Sequence, residues 1–110
     1  MHGMIHSRNK RTFEDFKNQI PREIKSLFFQ IRELCLSFGE NVVEDERMHR
    51  IVFGKSMNFR WFADLESTSE EIIVKIQKNR KEFPITFKIQ KEEKFEDLKN
   101  LINEAFTSIH

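Results

Sequence analysis

Tyrosine is missing from these 110 residues, although phenylalanine occurs 12 times and tryptophan once. Phenylalanine has no polar handle, so most of these rings are expected inside a core. A single cysteine, Cys35, leaves nothing for an internal disulfide or a thiol metal cluster. Apolar runs such as Leu27-Phe28-Phe29 are far too short to span a membrane, so no membrane partner is expected. An excess of one charge is also lacking: 19 basic residues face 18 acidic ones, for a net charge of +1. That balance argues against a protein that coats DNA, while leaving room for a local basic patch. Met1 to Thr12 is polar and carries Arg8, Lys10 and Arg11. It lacks the basic-then-apolar build of a signal peptide, and a reducing cytoplasm is the expected compartment.

The length suits one domain, burying roughly 65% of its extended surface in a modest core. Residues 1–11 have no periodicity and read as a flexible N-terminal arm; 12–110 read as a single α+β domain. Thr12 is placed to cap a short helix with Phe13, Phe16 and Ile20 on its apolar side. Pro21 ends it or opens the next helix. In that second helix Ile24, Leu27, Phe28, Ile31, Leu34, Cys35 and Phe38 follow one helical face. Phe29 and Leu36 lie off the stripe, where the first helix can pack, and Gly39 sits where a left-handed C-cap would end the element. A closing helix is expected from Lys94 to Ile109, striped by Phe95, Leu98, Leu101, Ile102, Ala105 and Ile109.

Between the helices the period changes to two. Phe59, Trp61, Ala63 and Leu65 share one parity, as do Ile72, Val74 and Ile76, and then Ile85, Phe87 and Ile89. A preceding strand is expected over Val42 to Phe53, with turns at Gly54-Lys55-Ser56, Ser67-Thr68-Ser69 and Asn79 to Pro84. Such short connections imply a four-stranded antiparallel meander with all helices on one face, Trp61 and Phe87 lying near the centre of the core.

No chemical constellation stands out, and no enzyme activity, cofactor or metal is expected. Gly54-Lys55-Ser56 resembles the end of a phosphate loop, but His49 occupies the position of its first glycine and a strand follows. The four histidines do not pair at ligand spacing, with one another or with Cys35. Cys35 lies within a buried stripe, where a thiol acts as a small hydrophobe. Glu23-Ile24-Lys25 and Asp97-Leu98-Lys99 look like nuclease carboxylate motifs, yet on helices residues i and i+2 diverge.

The surface carried forward is the other sheet face. With Trp61 inward, Arg60, Phe62 and Asp64 point out, alongside Met48, Arg50, Val52, Ile73, Lys75, Thr86 and Lys88. Met48, Arg50, Arg60, Phe62, Ile73, Lys75 and Lys88 form the candidate binding face. Exposed apolar residues there suit another protein or a homo-oligomer; basic residues around Phe62 suit single-stranded nucleic acid. A solvated face with salt bridges, such as Arg60 or Lys75 with Asp64, accounts for the same residues.

Several positions resemble a small domain-of-unknown-function family, found alone or as a C-terminal appendage of restriction-endonuclease-like nucleases. Some of its members were once labelled predicted transport proteins. The matching residues are Leu36-Ser37-Phe38-Gly39, Ile51-Val52-Phe53, Asn58-Phe59, and the helix pattern Asp97-Leu98, Leu101-Ile102, Ala105-Phe106. Phe106 stands where that family more often has tyrosine, and Lys81-Glu82-Phe83-Pro84 replaces a tryptophan-containing loop. The resemblance implies an accessory or binding module near nucleic-acid enzymes, and transfers no catalytic residue.

Overall fold

The computed structural model describes residues 13–56, 60–79 and 81–108. The expected N-terminal arm and the Thr12 cap lie outside this set. The elements run α1 (Phe13–Lys17), α2 (Arg22–Leu36), β1 (Val42–Glu46), β2 (Arg50–Lys55), β3 (Arg60–Ser67), β4 (Ile72–Ile76), β5 (Ile85–Ile89) and α3 (Phe95–Ser108). Glu92–Lys94 forms a 3-10 turn leading into α3.

The fold is α+β, with an antiparallel meander in the order β1-β2-β3-β4-β5. It has five strands rather than four. The single strand expected over Val42 to Phe53 folds back on itself at Arg47, Met48 and His49, where the Arg47 amide donates to the Arg50 carbonyl at 2.7 Å. That turn contains no glycine, proline or asparagine, the residues that announce turns in a sequence. β1 then pairs with β2 from Val42↔Lys55 to Glu46↔Ile51. Lys55 thus closes β2 instead of sitting in the expected turn.

One sheet face is covered by helices. Phe28, Ile31 and Cys35 of α2, Leu98, Ile102 and Ala105 of α3, and Ile51, Phe53, Leu65, Val74 and Ile76 of the strands form one buried cluster. The five-residue α1 docks on α2, with Phe13 edge-on to Phe29 at 5.4 Å between ring centroids and Phe16 against Phe28 at 5.6 Å. Phe29 thus receives the first helix, as its off-stripe position suggests. Arg32 fastens the assembly from α2. Its guanidinium forks onto Glu44 of β1, at 2.5 Å from Nε and 2.9 Å from Nη2, and lies 3.9 Å from the centroid of the Phe13 ring.

Gly39 does not serve as a left-handed cap. Its φ lies outside the positive region, and α2 ends at Leu36, with Ser37 at φ −75° and ψ −12°. The Ser37 amide donates to the Glu33 carbonyl at 2.9 Å, and its hydroxyl donates to the Leu34 carbonyl at 2.6 Å, so serine completes the last turn. Phe87 is also displaced from the expected centre. It lies on the edge strand β5 and is only partly buried, while among the described residues Phe16, Phe28, Phe53 and Phe62 are the large rings fully inside.

Candidate functional site

The candidate face depends on which residues of β3 point away from the helices, and a β-bulge decides this. β2 pairs with β3 through Phe53↔Ala63, but the next pair is Gly54↔Trp61. Phe62 is therefore the extra residue. A bulge of this kind lets neighbouring residues take the same side of a sheet, and here Phe62 and Ala63 are both fully buried. Phe62 meets Phe38 at 5.9 Å and Phe106 of α3 at 5.3 Å, while Phe38 and Phe106 stack at 4.9 Å. Three such ring pairs, worth roughly 0.5–1.5 kcal/mol each beyond their area, help offset the interrupted ladder.

Two residues of the candidate face are thereby corrected. Phe62 is a core residue beneath α3, not a stacking platform in solvent. Arg60 pairs with Lys55, whose ammonium lies 4.4 Å from the centroid of the Phe106 ring on the helix side. Arg60 instead lines a shallow hollow with Asn79, Lys81 and Glu82. Trp61, expected inside, is partly exposed, belongs neither to the core nor to the residues packed on it, and sits opposite Gly54. The three apolar residues Trp61-Phe62-Ala63 in succession were the available signal, because strict alternation cannot accommodate them.

The remaining residues do share the face that none of the described helices packs against. One row across the sheet runs Asp45, Val52, Asp64, Lys75, Thr86, and the next runs Arg50, Glu66, Ile73, Lys88. Arg50, Ile73, Lys75 and Lys88 are brought together as expected. Met48 is 65% exposed, but it occupies the β1–β2 turn beyond the face rather than a strand position. His49 is exposed beside it in that turn.

The face mixes signs. Arg50 Nε lies 3.5 Å from Asp64 Oδ2, and Arg47 Nη2 lies 2.8 Å from Asp45 Oδ2. Asp64 is only 9% exposed although it faces away from the helices. Burial pushes its carboxyl above the ordinary aspartate range, and Arg50 and Lys75 pull it partly back. Val52 is 5% exposed on the same face and packs outside the main core. Trp61 and Ile73 are thus partly exposed apolar residues on either side of the row that holds Asp64 and Lys75, while Val52 in that row is buried.

Elsewhere, Cys35 is fully buried and burial pushes its thiol well up, which suits packing rather than nucleophilic attack. Among the described residues no group of three His, Cys, Asp or Glu side chains could hold a metal ion. Within the same residues, no helix is long and apolar enough to cross a membrane. A hollow of about 290 Å³ lies at the end of β5 near the start of α3, lined by Glu71, Lys88, Gln90, Lys91 and Lys94. Comparisons of the chain with family models, curated proteins and solved structures returned no match.

Proposed function

We propose that this chain is a non-enzymatic docking module that holds another protein against its uncovered sheet face. The observation that carries the reading is the partly exposed Trp61, with the partly exposed Ile73, on a face that none of the described helices packs against. Partly exposed tryptophan on a rigid sheet is a favoured anchor, because it supplies a large contact area at low entropic cost. Arg50, Lys75 and Lys88 on the same face would set orientation rather than strength.

The charge pattern favours a protein over the single-stranded nucleic acid that the basic residues of this face suit. Asp64 and Glu66 interrupt the basic residues, and Arg50 already has Asp64 as a partner. A phosphate track needs free cations in succession.

Capture from cell extract, compared between the intact protein, Trp61→Ala plus Ile73→Ser, and a Lys99→Glu control on α3, tests this reading. Loss of the same captured protein in the face variant alone supports it. Capture indifferent to the face variant overturns it. So does steeply salt-dependent binding of single-stranded oligonucleotides that Arg50→Glu plus Lys75→Glu abolishes.

A further inference from the structure

The sheet is open, and its two edges are protected unequally. β1 carries Glu44, Asp45 and Glu46 in five residues, with Glu44 and Asp45 tied to Arg32 and Arg47. Charge in an edge strand discourages another chain from adding to it. β5 has the sequence Ile85-Thr86-Phe87-Lys88-Ile89, with a single charge. Ile85 is 37% exposed, Thr86 and Lys88 are exposed, and Phe83 just before the strand is 95% exposed. Pro84 blunts the entry to the strand but leaves its length available.

We infer that β5 is a self-association edge, pairing antiparallel with the β5 of a second copy about a two-fold axis through Phe87. The strand itself identifies the occupant. Its helix-side residues Ile85, Phe87 and Ile89 read the same from either end. Antiparallel pairing puts directly opposed side chains on one face, so centring on Phe87 sets Ile85 against Ile89, Phe87 against Phe87, and Thr86 against Lys88. All five residues then pair and no lysine meets a lysine. Centring on Lys88 would oppose two like charges. Centring on Thr86 would spend a position on Pro84, which has no N–H.

Outside the strand, the same register carries Phe83 of one copy toward Lys91 of the other, at the hollow lined by three lysines, Lys88, Lys91 and Lys94, with Gln90 and the single carboxylate of Glu71. An aromatic ring among lysine ammonium groups is attracted to them, and covering it removes exposed apolar surface. The contact is isologous, so it closes at two copies and joins the sheets into one of ten strands. Strands of five residues span about 17 Å, which puts the interface in the small, reversible class. This edge is separate from the Trp61 face.

Sedimentation velocity of the full chain, from micromolar to millimolar concentration, provides the test, with far-UV circular dichroism to check that each variant folds. The intact protein is expected to pass from monomer to dimer. Thr86→Glu faces Lys88 of the other copy twice and should tighten the dimer, while Thr86→Lys should loosen it, each by roughly 2- to 30-fold. Phe83→Ser should also loosen it. A strict monomer at millimolar concentration overturns the inference, as do assemblies that grow beyond two copies. A dimer that ignores the sign at position 86 but is lost in Trp61→Ala assigns the contact to the uncovered face and overturns it too.

Discussion

Phe62 meets Phe106 edge-on, 5.3 Å between ring centroids at an interplanar angle of 77°. That contact ties the bulge of β3 to the last turns of α3. It makes Phe62 part of the load between sheet and helix, while its neighbour Trp61 belongs to the opposite face. Phe62→Ala should therefore cost about 3–5 kcal/mol, the range for deleting a buried ring. Trp61→Ala should cost much less. Urea unfolding followed by circular dichroism measures both; equal losses would mean that the bulge does not divide the pair.

Arg32→Ala removes both the fork onto Glu44 and the cation over Phe13. The side chains of Arg32 and Glu44 are 22% and 15% exposed, so the carboxylate left behind is poorly hydrated. A loss of about 2–3 kcal/mol is expected, less than for a fully buried pair. Most of it should disappear against a Glu44→Gln background. A double-mutant cycle in high salt measures the coupling, because a partly buried pair is only weakly screened.

Asp64 should show the opposite of the usual carboxylate behaviour. Burial raises its folded pKa, with Arg50 and Lys75 only partly compensating. A raised folded pKa means that the folded state holds the proton more tightly, so this contribution to stability is full below about pH 3.9 and is lost as pH rises through the folded value. Asp64→Asn stays neutral throughout. It should be more stable than the intact protein at pH 7, and the difference should shrink to nothing in acid. Glu46, raised chiefly by burial and then by Glu44, adds a slope of the same sign to both proteins and cancels in the comparison.

Cys35 should be silent toward a water-soluble disulfide reagent while the chain is folded. It is fully buried, and its thiol is pushed up. Labelling should follow the rate of opening and become complete in denaturant. Rapid labelling of the native protein would place the thiol at a surface.

Helical stripes were legible because each is a local, unbroken pattern. Ile24, Leu27, Phe28, Ile31 and Cys35 are all buried, as are Leu98, Ile102 and Ala105. β4 was equally plain, with Ile72, Val74 and Ile76 fully inside. The candidate face was legible only away from the bulge. Arg50, Ile73, Lys75 and Lys88 share it, whereas one extra residue exchanged Trp61 for Phe62 and moved Arg60 to the other side. A parity argument propagates from its reference residue, so an irregularity next to that residue inverts everything before it.

By itself, then, the sequence determined an α+β chain with amphipathic helices around an antiparallel meander, because periods of 3.6 and two are written residue by residue. Tertiary structure decided where the chain reversed at Arg47-Met48-His49 and which ring of Trp61 and Phe62 went inside. The bulge depends on partners distant in the chain, Phe38 and Phe106, whereas the turn closes locally from Arg47 to Arg50 without the residues that announce one. Packing energy of that kind leaves no local signature beyond the apolar run Trp61-Phe62-Ala63, which breaks the alternation without saying which ring goes inside.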